Sequence, residues 1–262
     1  MTARRGRGAT KIRNAIPVVV VVGACAILAV SRDPERLEPA LSFCSPQASH
    51  PFGCGEAGVD LLALVSHAVV RAAALATVVA IVGLVIGGPL GAAAAIVRGR
   101  FERAVDRACD LVQAMPSFLL ALAVLSAVRS PSRIHLAFVF SLTAWAPFAR
   151  LALAQTRVLR TASFVDAARA LGVRGPALVR RHLLPNSIGV LAVQLGATAG
   201  AIVVSEAALS FVGLGPRGGV SLGSALEQGV ACMLFAPHVM IVAALAIVAT
   251  SASVIAAGRA IE

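Results

Sequence analysis

Residues 164–186 read FVDAARALGVRGPALVRRHLLPN, a basic, alanine-rich stretch between two of the longest apolar runs in the chain. It carries Arg169, Arg174, Arg180 and Arg181 against Asp166 as its acid. A segment this polar does not belong in hydrocarbon, so the flanking runs read as membrane spans and the stretch itself as water-facing. Val165, Ala168, Leu171 and Gly172 fall on one helical face, with Asp166 and Arg169 to one side. Gly172 and Gly175-Pro176 break that helix. Residues 177–184 restart it with Pro176 at a natural first-turn position, and Pro185-Asn186 is expected to end it. The result is a short helix, a turn and a second short helix lying across the membrane surface. The other reading is an ordinary amphipathic surface helix.

Composition agrees with that placement. The chain has 262 residues, 58% hydrophobic and 13% charged, and a mean hydropathy of +0.89. A soluble domain of this length needs more polar surface, so the sequence implies an integral membrane protein. Six runs are candidates to cross ~30 Å of hydrocarbon: 16–30, 72–97, 108–128, 135–153, 188–212 and 235–257, the first of them short. With the N-terminus inside, 17 of the 23 lysines and arginines fall on the inner side, in the N-terminal tail, 98–107, 150–181 and Arg259. Arg32, Arg36, Arg71, Arg129, Arg133 and Arg217 stay outside, the asymmetry of the positive-inside rule. Both termini are then cytoplasmic. The formal net charge of +11 is accounted for by basic loops facing an anionic inner leaflet, so membrane lipid is the expected partner and nucleic acid is not. The first run has a second reading. Val22-Gly23-Ala24-Cys25, after a basic start, resembles a lipoprotein cleavage site, against an uncleaved signal anchor. Under either, residues 31–70 lie outside.

Met115-Pro116 and Ala146-Pro147 predict kinks in the third and fourth spans. Gly83, Gly87, Gly88 and Gly91, and the pair Gly196 and Gly200, are either sites of close helix approach or a reflection of composition. No internal repeat suggests an inverted-repeat transporter. The cysteines, Cys25, Cys44, Cys54, Cys109 and Cys232, have no metal spacing. Cys44 and Cys54 share the first outer loop, where a disulfide is permitted and free thiols are the alternative. The histidines, His50, His67, His135, His182 and His238, also lack metal spacing.

Little in the chain can do chemistry. Its lysine is Lys11, in the tail, and no P-loop is present, so ATP binding of the usual kind is excluded along with Schiff-base chemistry. Gly219-Val220-Ser221-Leu222-Gly223 matches a serine-hydrolase string but sits in a glycine-rich outer loop. No catalytic residue and no cofactor are expected. Glu206 is the acid deep in a span, a candidate for function or for a structural hydrogen bond to a neighbouring helix or the following turn.

The stretch that opens this section resembles the cytoplasmic signature of permease subunits of binding-protein-dependent ABC importers. That signature is E-A-A, three residues, G, nine residues, then I-x-L-P. Here Asp166-Ala167-Ala168, Gly172 and Leu184-Pro185 stand at matching spacing, with His182 at the Ile position and aspartate for glutamate at 166. Arg181 to Asn186 follows the R-H-x-L-P-N form of the oligopeptide/dipeptide/nickel branch. Three further segments resemble that branch. They are His50-Pro51-Phe52-Gly53 with Gly58 and Asp60, then Asp110 with Met115-Pro116-Ser117, and the run from Glu206 through Leu209-Ser210-Phe211 to Gly213-Leu214-Gly215. The match departs at Cys54-Gly55 for Thr-Asp, at Val59 for Arg and at Ser221-Leu222-Gly223 for Ser-Trp-Gly. All three lie outside, where the family meets its substrate-delivering partner.

The resemblance implies an all-α polytopic helix bundle of the type I importer permease fold with about six transmembrane helices, in a bacterial inner membrane. Residues 1–71 are expected to hold the basic tail, first span and outer segment. Residues 72–262 are the permease core, with its coupling loop at 157–187. Implied partners are a second related permease, two ABC ATPase subunits and an extracytoplasmic binding protein, with peptides as the expected cargo. Implied ATPase-coupling residues are Asp166, Ala167, Ala168, Arg169, Gly172, His182, Leu184 and Pro185. Ala167, Ala168 and Gly172 are small so that a groove can close over them, and Gly172→Arg is expected to break docking. Translocation or gating candidates are Glu206, Ser210, Gly213, Gly215, Met115 and Pro116. The rival classes are an ion-gradient-driven transporter and a non-transporting assembly or receptor protein.

Overall fold

Asp60 starts the first long helix of the computed structural model, which describes residues 24–25, 27–28, 32–34, 36–173, 175–216 and 220–260. Its side chain accepts from the Leu62 amide at 3.0 Å and satisfies one of the open amides of the first turn. Helix α1 (Leu61–Val97) then runs for 37 residues, about 55 Å at 1.5 Å per residue, longer than ~30 Å of hydrocarbon requires. It begins well before the expected Ala72, so the division at residue 71 falls inside a continuous helix. The first candidate span and its cleavage-site reading lie largely outside the described residues.

Two helices follow where one kinked span was expected. Helix α2 (Gly99–Ala114) and helix α3 (Ser117–Ser126) meet at a bend of 67°. Met115 (φ −93°, ψ 119°) and Pro116 (φ −57°, ψ 120°) are both extended. The proline ring disfavours helical backbone at the residue before it, and its nitrogen offers no hydrogen bond to the turn behind. Helix α4 (Arg133–Leu159) by contrast continues through Pro147 without interruption.

Helix α5 (Ser163–Ala170) is short, and helix α6 (Pro176–Phe211) is long. The sequence reading placed a helix end at Pro185-Asn186; the structure corrects it. The chain widens into a single π-turn at Val179–Leu183, with the Leu184 amide bonded to the Val179 carbonyl five residues back. Widening accommodates a ring that would otherwise clash with the preceding turn. Side chains take up the carbonyls around it: Asn186 Nδ2 donates to His182 O at 2.5 Å and Ser187 Oγ to Leu183 O at 3.0 Å. Helix α7 (Leu222–Ala231), capped by Ser221, and helix α8 (Pro237–Ala260) complete the described helices. Four of these helices are long and apolar enough to cross a membrane, and the bent α2–α3 pair makes a fifth.

Helices α1 and α4 form the centre of the bundle. Gly83, Gly87 and Gly91 recur every four residues on α1, and a β-carbon on any of them would run into a backbone oxygen of α4: Ala144, Trp145 and Ala149 in turn. On α6, a β-carbon at Gly196 would meet the Gly258 backbone and the Ile255 carbonyl oxygen of α8, and one at Gly200 would meet the Ile255 side chain; Ser251 Oγ donates to Gly200 O at 3.2 Å. Both glycine sets are therefore sites of close approach. Between helices in lipid no hydrophobic difference drives association, so backbone proximity and packing must.

At the end of the bundle remote from residues 164–186, a loop folds back over α7 and α8. Cys44 and Cys54 form a disulfide within it, which gives Cys54 a structural role at the position where the resembled pattern has threonine. Phe43 meets Phe235 edge-on at 5.2 Å, and Gln228 Nε2 donates to Glu56 Oε2 at 3.3 Å. Arg32 pairs with Asp60, which also lies 3.8 Å from His50 Nδ1. A membrane-impermeant maleimide is expected to leave Cys44 and Cys54 unmodified until reductant is added, and then to label both. Labelling of both without reductant contradicts the bridge. Cys232 does not confuse the assay, because it is buried and burial pushes its thiol pKa up.

Candidate functional site

The basic stretch is held as a bracket. Val165 and Ala168 of α5 are buried against Ala92 of α1 and against Leu178, Val179 and Leu183 at the start of α6. Arg169 spans the rim: its Nη1 lies 3.2 Å from Asp166 Oδ1 and donates to the Arg160 carbonyl at 3.4 Å. Arg160 Nη1 in turn donates to the Ala95 carbonyl at 2.9 Å. The helix ends in a reversal in which Gly172 adopts φ +82° and the Val173 amide returns to Ala168 O at 3.0 Å. Only glycine takes that conformation without penalty.

Of the expected coupling residues, Asp166, Ala167 and Gly172 are exposed, Arg169 is half-buried and Ala168 is buried. Ala168 is 5% exposed and packs against Ala92 of α1, a contact its small size allows. His182 and Leu184 are half-buried, and Pro185 is exposed at the π-turn. Leu171, on the same helical face as Val165 and Ala168 by sequence spacing, is 85% exposed at the tip of the bracket. A β-carbon at Gly172 would meet nothing within 4 Å, so Gly172→Arg is opposed by its backbone angle, not by space.

A row of ion pairs ties the bracket to the broken span. Glu102, Asp106 and Asp110 stand at i, i+4 and i+8 on α2, facing α4. Arg157 Nε lies 2.7 Å from Glu102 Oε1 and its Nη2 3.1 Å from Asp106 Oδ2. Arg160 lies 3.9 Å from Glu102, and Arg150 pairs with Asp110. The acids at helical spacing were the signal in the sequence, but nothing there said which arginines they would meet.

The translocation candidates separate into two groups. Glu206, Ser210, Gly213 and Gly215 gather where α6 ends. Ser210 Oγ donates to Glu206 Oε1 at 3.1 Å, and both residues are buried. Gly213, at φ +82°, turns the chain back, and the Leu214 amide closes on Leu209 O at 2.9 Å. The tight fit continues into α7, where a β-carbon on Gly223 would strike the Ala207 carbonyl. Glu206 Oε1 thus has a hydrogen-bonded partner, while Glu206 Oε2 is buried without one among the described residues. Met115 and Pro116 instead line a separate cavity of about 320 Å³ between the bend, α4 and α6. Ser221, the serine of the hydrolase-like string, is a helix cap: its Oγ accepts from the Ser224 amide and meets Ser224 Oγ, both at 3.0 Å. Gly219 lies outside the described residues.

A family model described as binding-protein-dependent transport system inner membrane component matches residues 87–262. A glutathione transport system permease protein of Pectobacterium atrosepticum is 32% identical over 210 residues, covering 78% of this chain and 68% of the relative. A putative peptide transport system permease protein of Brucella suis is 34% identical over 236 residues, covering 87% and 78% respectively. A glutathione transport system permease protein of an Escherichia coli strain is 33% identical over 208 residues, with 78% and 68% covered.

Proposed function

The chain belongs to the family of binding-protein-dependent transport system inner membrane components, and from that premise we propose that it is one of two related permease subunits of an ATP-driven importer of peptides. Two ATPase subunits bind the basic end of the bundle, which faces the cytoplasm, and a binding protein delivers solute to the opposite end. The chain itself hydrolyses nothing.

The observation that supports this reading most is the bracket at residues 163–185. Its inner face is locked to α1 and α6 by Val165 and Ala168, while its tip offers Leu171 to water. An apolar tip on a rigid, ion-paired support is suited to insertion into a partner's groove, with Asp166 and Arg169 able to pair at the groove's rim. Displacement of the bracket passes through Arg160 and Arg157 to α2, and so to the bend at Met115-Pro116. ATP-driven closure of the ATPases would then bias the bundle between inward- and outward-open states.

The test is the energy source. Uptake by the complete complex in proteoliposomes is expected to need hydrolysable ATP and to be unchanged by an ionophore. Uptake driven by an ion gradient without ATPase subunits contradicts the reading and favours a secondary transporter. ATP hydrolysis with no solute accumulated also contradicts it.

A further inference from the structure

Helix α6 is apolar along most of its length, yet Gln194, Thr198 and Ser205 fall on one face, at i, i+4 and i+11. Placing amides and hydroxyls in hydrocarbon without partners is costly, so polar side chains at mid-span are expected to face protein or water. Here all three line the cavity of about 320 Å³. Gln113 and Ser117 reach it from either side of the α2–α3 bend, and Thr143 from α4. The extended backbone of Met115-Pro116 borders the same space. Irregular backbone at membrane depth is tolerated where it lines a wet cavity.

Nine of the fifteen residues lining the cavity are apolar, and the other six are polar and neutral. Its polar side chains are amides and hydroxyls; no carboxylate, guanidinium, ammonium, imidazole or thiol is among its lining residues. Gln194 Nε2 donates to Thr198 Oγ1 at 3.0 Å, which orients the amide. The second N–H and the carbonyl oxygen of Gln194 remain for a guest. Of the charged groups nearest in sequence, Asp110 pairs with Arg150, and Glu206 accepts from Ser210 through Oε1.

We propose that this cavity is the chain's share of the solute path. Gln113, Thr143, Gln194, Thr198 and Ser205 read the solute there through neutral hydrogen bonds. The site suits amide-bearing solutes of either charge, offers no carboxylate, imidazole or thiol to a metal cation, and leaves charge selection to other parts of the importer. This rests on the permease reading above.

The complete transporter, with its permease, ATPase and binding-protein partners, is assembled in proteoliposomes. It is given tri-alanine and tripeptides with Lys or Glu at the centre, and uptake per ATP hydrolysed is measured. Gln194→Glu is expected to shift the ratio of Lys-centred to Glu-centred uptake upward by about tenfold, and Gln194→Lys to shift it downward by a similar factor. Thr143→Asp and Thr143→Lys on the facing helix should repeat the pattern. Variants that change uptake of all three peptides equally, or leave the ratio untouched, overturn the proposal. So does an unmutated complex that accumulates none of the three. An unmutated complex that accumulates them without ATP leaves the cavity assignment to the ratio test and contradicts the permease reading instead.

Discussion

Alanine at Gly91 is expected to destabilise the bundle by about 3 kcal/mol, at the upper end of what overpacking by a methyl group costs. The added β-carbon falls on the carbonyl oxygen of Ala149, with Ala149 Cα 2.9 Å away. Backbone atoms cannot rotate aside as a side chain can, so α1 and α4 must separate along the seam that also holds Gly83 and Gly87. Close packing through that seam is what joins two helices when both surroundings and interior are apolar. Gly88 supplies the control. It lies on the same helix, but a β-carbon there finds its nearest neighbour, Leu84 Cδ1, at 3.7 Å, an ordinary contact. Gly88→Ala should therefore be neutral or more stable by up to about 1 kcal/mol, from helix propensity. Thermal unfolding of the two detergent-solubilised variants checks the pair. Equal melting behaviour contradicts the packing argument.

Leu171→Asp is expected to leave the protein folded and inserted while weakening ATPase binding by about 30-fold or more, and transport with it. The side chain is 85% exposed, and substitutions at such positions usually change stability by less than about 0.5 kcal/mol. Burying an apolar anchor at the centre of an interface is worth ~2 kcal/mol or more, which sets the size of the loss. Ala168→Asp, three residues earlier, should behave differently. That position is 5% exposed and packed on α1, so a carboxylate there disrupts the bracket itself. Co-purification of ATPase subunits, alongside the yield of folded permease, separates the two outcomes. Normal ATPase recovery with Leu171→Asp contradicts the docking assignment.

Spans could be read from apolar length, and the bracket from its glycines and its charge, because both depend on local composition. The order Asp166-Ala167-Ala168, Gly172, Leu184-Pro185 placed the candidate coupling residues on one short segment, and the structure divides that segment between α5 and the start of α6. What local pattern could not supply was direction. Leu171 and Ala168 share a helical face on paper, yet the helix ends between them. Ala168 turns into the protein and Leu171 out of it. Pro185 read as a terminator because a proline removes a backbone donor; a π-turn and two side-chain hydrogen bonds absorb that loss. Pro116 and Pro147 look equivalent in sequence, but only Pro116 breaks its helix. Tertiary packing makes that choice. The ladder from Glu102 to Asp110 and the polar face of α6 were visible as spacings. Their meaning required knowing which helices stand opposite.

The claim that residues 163–185 form the grip for the ATPase is most directly tested by cross-linking. Cysteine placed at Leu171 in the assembled complex is treated with a photoactivatable maleimide, and the products are separated by mass. Leu234, 95% exposed at the opposite end of the bundle, receives the same substitution as a reference. An adduct between this chain and an ATPase subunit is predicted for Leu171→Cys and not for Leu234→Cys. No ATPase adduct from Leu171→Cys, or the adduct from Leu234→Cys instead, contradicts the account.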